Sequence, residues 1–255
     1  MKTTQELTDI LDFAAEFATY MLGSGVHTSR TVRCVQRIGI SQGVCIQLTA
    51  FQKSVIITVR DDESREVLTR VVPIPALPIS FERNADMGAL SWDAIDDKLT
   101  LEEIRARYDR LVSKPRIDPM FVLVTVGFAN ASFCRLFGGD WTAMSIVFTS
   151  TLVGLAAKQR MQAHGMNHFL IFIISAFIAS LCASASLRFP CTSEVAIATS
   201  VLFLVPGVPL INGVIDIVEG HILIGCSRLM NAMLLVFCIA VGLSATLLMV
   251  KDSLL

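Results

Sequence analysis

The chain has 255 residues, of which 53% are hydrophobic and only 17% charged, with a net charge of −1. Average soluble domains carry roughly 25% charged residues. Here the deficit falls on one half: residues 1–118 hold 32 charged side chains and residues 119–255 only 11. That division excludes a disordered chain, a disulfide scaffold and a purely soluble enzyme, and the lack of basic excess argues against a nucleic-acid partner. The pattern predicts an α-helical integral membrane protein with an N-terminal α+β soluble domain over residues 1–115 and a transmembrane domain over residues 116–255.

At the N-terminus, Lys2 is followed by Glu6, Asp9 and Asp12 without an uninterrupted apolar run. No secretory signal is read there, so the first domain is expected to stay in the cytoplasm. Leu7, Ile10, Leu11, Ala14, Phe17, Ala18 and Met21 recur at helical spacing and predict a helix over 4–22, opened by the capping box Thr3-x-x-Glu6. Gly23 and Gly25 end it. A second helix is predicted from Thr28 to about Ile38, with Arg30, Arg33 and Arg37 on one face. Val44–Phe51, Ser54–Arg60 and Glu66–Val72 have strand character and are separated by polar turns, which predicts an antiparallel meander. Pro73, Pro75 and Pro78 then break regular structure, and helices follow over Asn84–Lys98 and Leu101–Ser113, the latter opened by Thr100-x-x-Glu103.

His27 is the only histidine of this half. No Ser/His/Asp grouping, phosphate-binding loop or metal-ligand spacing accompanies it. Asp93, Asp96 and Asp97 read as a solvated helix face. The seven cysteines contain no C-x-x-C pair and read as small buried hydrophobes. No catalytic residue, metal or cofactor is therefore expected.

A hydrocarbon core of about 30 Å needs about 20 helical residues. Spans are predicted at 119–137, 141–162, 168–188, 192–218 and 222–250. With the N-terminus inside, Lys114, Arg116, Lys158, Arg160 and Arg228 flank the inner ends, and Arg135, Arg188 and Lys251 the outer ends. This bias agrees with a cytoplasmic N-terminal domain and puts the C-terminus outside. Ser175, Ala176, Ala179, Ser180, Ala183 and Ser184 give the third span a close-packing face. Asn130 opens a sequon, but one that lies inside a span, where it would not be glycosylated; it stays as a polar candidate, as does Glu194 near the outer end of the fourth span.

The fourth span carries the strongest local signal: Leu204-Val205-Pro206-Gly207-Val208-Pro209-Leu210-Ile211-Asn212, continuing to Asp216, Glu219 and His221. Pro206 and Pro209 each lack an N–H and clash with the preceding turn, so the helix is expected to break or kink near Pro206. Freed backbone carbonyls persist in a membrane only when buried in protein or facing a water-filled cavity, and transporters bind substrate at such breaks. Beyond the break, Asn212, Asp216 and Glu219 share one helix face. Asp216, with His221, is the candidate proton carrier, and Pro206, Gly207, Pro209 and Asn212 are candidates for the substrate site. The alternative is that Asp216, Glu219 and His221 sit at the cytoplasmic headgroups.

The stretch Leu204–His221, together with Gly25-x-x-Thr28-x-Arg30, resembles the threonine/serine exporter family, and within it the short, split members. The resemblance covers nearly the whole chain. The chain departs from the family at Val26 and His27, where Ala and Glu are frequent. The resemblance implies export of amino acids or small carboxylates such as succinate, driven by the proton gradient. It also implies a second, smaller multi-span membrane protein as partner in the lipid bilayer of the bacterial inner membrane. A membrane-anchored sensor or scaffold, whose soluble domain binds a ligand or a protein, is the alternative from another class. It has no need of a Pro-Gly-x-Pro break.

Overall fold

The computed structural model describes residues 2–115 and 117–254, with the side chains of 251–254 excepted. Arg116 and the side chain of Lys251, both counted above as flanking charges, lie outside the described residues. By packing, the chain falls into two units: residues 1–115 with Val208–Met230, and residues 116–207 with Asn231–Leu255. Residues 208–230 thus group with the N-terminal part, although a linear division at residue 115 assigns them to the membrane part.

The first unit is built on α1 (Thr4–Gly23), whose Thr3 and Glu6 cap each other reciprocally. Leu7, Phe13, Ala14, Phe17, Ala18 and Met21 are all fully buried, so α1 is enclosed on most sides. It packs on α2 (Thr28–Ser41) and on a sheet of β1 (Cys45–Ala50), β2 (Ser54–Arg60) and β3 (Val67–Pro73). The strands form the expected antiparallel meander in the order β1-β2-β3, with Gln47 opposite Thr58 and Thr58 opposite Thr69. Val55, Ile57 and Val59 of β2 alternate into the core. Each such burial contributes roughly 1.5–3 kcal/mol.

Next, α3 (Phe81–Asp96) packs on α2, and α4 (Leu101–Ser113) packs on α3. Tyr108 of α4 closes an aromatic group with Phe13, Phe17 and Tyr20, at ring centroids 5.5–6.0 Å apart, and burial pushes its phenol pKa up. The third helix starts earlier than its periodicity predicts, because the Ser80 hydroxyl accepts the Arg83 N–H and caps it at Phe81. It stops earlier as well, before Lys98, whose φ of 52° is left-handed.

The hydrophobic half forms α5 (Pro119–Leu136), α6 (Trp141–Ala163), α7 (His168–Ala183), α8 (Ser193–Thr199), α9 (Gly207–Val218) and α10 (Ile222–Leu254). Among the described residues four stretches are long and apolar enough to cross a membrane: Pro119–Leu136, Trp141–Ala163, His168–Arg188 and Ile222–Val250. The pair Ser193–Leu204 and Gly207–Val218 makes five if it forms one span. Helix α7 ends in a 3₁₀ turn, Ser184–Arg188, and Phe189 before Pro190 is extended, as a residue preceding proline favours. The stretch 192–218 is not one helix: α8 is followed by a short 3₁₀ turn at Leu202–Leu204, and regular structure lapses at Val205-Pro206.

Pro209 behaves differently from Pro206. It lies in the first turn of α9, where its missing N–H has no intrahelical acceptor to lose. In the second unit α5 and α6, and α6 and α7, are neighbours, with Gly154 pressed against Ala179. Phe172, Ala176, Val201, Leu204, Leu235 and Ile239 form its core. Phe121, Phe128, Met233 and Phe237 face outward on these helices, a surface suited to lipid rather than water.

Candidate functional site

The richest polar constellation lies in the first unit, where the α1–α2 turn meets α9 and the start of α10. Gly25 turns the chain with a φ of +85°, a conformation that favours glycine. His27 then caps α2, its Nδ1 accepting the Arg30 N–H at 3.4 Å. The Thr28 N–H, first of the helix, donates to Asp216 Oδ1 at 2.7 Å. A carboxylate at a helix N-terminus is favourable, because the unpaired N–H groups and the helix dipole both present positive charge there.

The other carboxylate oxygen, Asp216 Oδ2, lies 2.8 Å from Arg228 Nη1 on α10. Asp216 is fully buried, and a carboxylate so placed is stable only when paired. The close approach of α9 and α10 makes this reach possible. A Cβ on Gly225 would fall 2.7 Å from the Gly213 carbonyl and 2.6 Å from Ile217 Cγ1.

The same two helices also satisfy the turn's carbonyls. Asn212 Nδ2 donates to the Gly25 carbonyl at 2.6 Å, and Arg228 Nη2 donates to the Val26 carbonyl at 3.2 Å. One turn beyond Asp216, Glu219 lies 3.2 Å from His27 Nδ1 and 3.6 Å from Arg33 Nη1. A hydrogen bond from the Ser29 hydroxyl, and then the charges of His27 and Arg33, hold the Glu219 carboxyl below its usual range. Burial pulls the His27 imidazole below its ordinary value, and Glu219 offsets this in part. His27 Nδ1 therefore has two competing uses. Unprotonated it accepts from Arg30, and protonated it donates to Glu219.

Asn212, Asp216 and Glu219, which the sequence puts on one helix face, all meet the α1–α2 turn. The other candidates lie elsewhere. The half-buried ring of His221 has no hydrogen bond among the described residues, while its backbone N–H bonds to the Asp216 carbonyl at 2.7 Å. Pro206 is buried, and a Cβ on Gly207 would meet open space. Pro206 and Gly207 belong to the second unit, whereas Pro209 belongs to the first.

In the second unit Asn130 is buried and donates to Thr151 Oγ1 at 2.6 Å and to the Ser200 carbonyl at 3.4 Å. That carbonyl follows the end of α8, so Asn130 satisfies a backbone group released where the helix stops. Glu194 is exposed in the first turn of α8. Among the described residues no group of three His, Cys, Asp or Glu side chains could hold a metal ion.

Sequence reasoning missed Arg228 as a site residue, since it entered only as a flanking charge, and missed Thr28 and Arg33 as partners of α9. The Gly25-x-x-Thr28-x-Arg30 motif was the available signal for the turn. Within it Arg30 points elsewhere, to the Asn84 carbonyl of α3 at 3.3 Å.

Comparison with known proteins gives a consistent picture. The family model ThrE, described as "Putative threonine/serine exporter", matches residues 12–250. A protein of Klebsiella aerogenes named "Probable succinate transporter subunit YjjP" is 30% identical over 231 residues, covering 88% of each chain. A protein of the same name from Escherichia coli is 35% identical over 130 residues, covering 50% of this chain and 51% of its own. A "Probable threonine/serine exporter" of Mycobacterium tuberculosis is 23% identical over 245 residues, covering 93% of this chain and 46% of its own. No solved structure matches.

Proposed function

Because the chain belongs to the threonine/serine exporter family, and is thus a multi-pass membrane transporter rather than an enzyme, we propose that it is one subunit of a proton-coupled exporter of small carboxylates or hydroxy amino acids. A separate, smaller membrane protein completes the transporter. The relatives named as subunits of a succinate transporter support both the partner and the succinate class. The protein sits in a bacterial inner membrane with residues 1–115 in the cytoplasm, and the basic residues flanking the spans favour that orientation. Residues 192–218 act as one broken span.

The observation that carries this reading is the buried Asp216 beside Arg228. A buried ionisable pair joining two helices of a membrane transporter is a candidate pathway or proton site. Asp216 is the proton-carrying group. The Pro206–Asn212 segment contributes to the substrate path, with backbone groups released at Pro206 available to a ligand. A membrane-anchored sensor has no need of the break at Pro206-Gly207.

Labelled succinate, serine and threonine loaded into bacterial cells test the proposal. The expected result is efflux that needs both this protein and its smaller partner and collapses with a protonophore. Efflux of none of the three labels, with both proteins present in the membrane, would contradict it.

A further inference from the structure

Among the described residues five buried side-chain polar atoms have no hydrogen-bond partner, and three of them gather at one place: Thr28 Oγ1, Asp216 Oδ2 and Arg228 Nη1. The other two, on Ser175 and Ser186, belong to the second unit. Asp216 Oδ2 and Arg228 Nη1 are 2.8 Å apart, yet they are not aligned as a hydrogen bond. The start of α2 therefore presents one N–H that Asp216 takes and a buried hydroxyl that is free, and Arg228 of α10 adds a guanidinium whose Nη1 is held by Asp216 as an ion pair. A buried hydroxyl left free, as Thr28 Oγ1 is, is costly and unusual. Together the three groups are the donors that carboxylate recognition uses: a helix N-terminus, a planar guanidinium and a hydroxyl.

We propose that the N-terminus of α2 and Arg228 form a carboxylate-binding site, which Asp216 fills in the unloaded protein and which a carboxylate of the transported substrate takes over when Asp216 withdraws. The identity of the ligand rests on the exporter reading above, while the site itself rests on the geometry. The carboxylate is the one group that succinate, threonine and serine all carry, so a site for that group serves all three. Withdrawal of Asp216 follows when it takes up a proton, because a neutral carboxyl no longer holds Arg228. The ionised Asp216 and the substrate carboxylate then exclude each other at one position, so proton uptake by Asp216 and substrate binding favour each other. The other charges gathered around the turn are His27, Arg30 and Arg33 from the turn and α2, and Glu219 from α9.

The test uses the full chain in lipid nanodiscs at pH 7.5. Asp216→Ala removes the internal carboxylate and leaves its space empty. Acetate and succinate should raise the melting temperature of this variant by several degrees. Chloride at equal ionic strength should not, and neither acid should shift the wild type comparably. Asp216→Asn, which keeps the shape without the charge, should bind labelled succinate about tenfold more tightly than wild type. Adding Arg228→Gln to either variant should abolish the effect, and adding Thr28→Val should weaken it several-fold.

Melting of Asp216→Ala that ignores both acids would overturn the site, as would succinate binding to Asp216→Asn no tighter than to wild type. Stabilisation without efflux from cells would leave the site standing and remove the exporter reading. Efflux without stabilisation would do the reverse.

Discussion

At the scale of single residues, Asp216 and Arg228 decide most. Removing one member of a buried ion pair leaves the other charge uncompensated, at a cost of roughly 3–5 kcal/mol, whereas replacing both with neutral groups of similar size is close to neutral. Arg228→Gln is therefore expected to lower the melting temperature sharply, and Asp216→Asn with Arg228→Gln to recover most of the loss. Equal destabilisation by the single and the double variant would mean that the pair contributes packing alone.

His27 sets a separate pH dependence. Burial holds it below its ordinary 6.5 in the folded chain, so the unfolded chain takes up the proton first as the pH falls. The stability it supports is whole above about pH 6.5 and shrinks below that value. Asp61, held at about 2 by hydrogen bonds led by that of Ser64, loses its contribution only as the pH drops from its ordinary 3.8 towards that value. Thermal melts at pH 7.5, 6.5 and 5.5 should show a decline that His27→Asn reduces, since Asn caps a helix well and does not titrate. An unchanged decline in His27→Asn would assign it to another group.

Among the elements, the two prolines have different parts. Pro206 stands where regular structure lapses, while Pro209 sits in the first turn of α9. Pro209→Ala alone is expected to leave transport near normal. Pro206→Ala with Pro209→Ala lets the helix run on and should impair transport at unchanged protein abundance. Wild-type rates in the double variant would remove the break from the mechanism.

The sequence foretold elements best where cap and periodicity agree. The capping boxes at Thr3 and Thr100 mark the true starts of α1 and α4, and alternation with polar turns marks the meander. It was poorest where a single local bond sets the limit, as at Ser80, or where a helix tightens before a proline, as at Ser184–Arg188. The shared face of Asn212, Asp216 and Glu219 could be read from spacing alone. What that face meets could not, because Thr28 and Asp216 are 188 positions apart and nothing local in either segment records the other. Arg228 escaped for the same reason, since a basic residue near a span end is ordinarily a topology marker.

For the whole molecule, the grouping of Val208–Met230 with residues 1–115 rests in part on Asp216, which accepts the Thr28 N–H of the N-terminal domain and pairs with Arg228 of α10. On the carboxylate-site proposal, a proton arriving at Asp216 changes what α2 and Arg228 hold. The N-terminal domain is, on that proposal, part of the coupling device rather than an appendage to it. The most direct measurement of that claim is efflux of labelled succinate from cells that express Asp216→Asn with the smaller partner, at a membrane abundance equal to wild type. The account predicts that coupled efflux is lost while the protein and its complex persist. Normal, protonophore-sensitive efflux by this variant would contradict it.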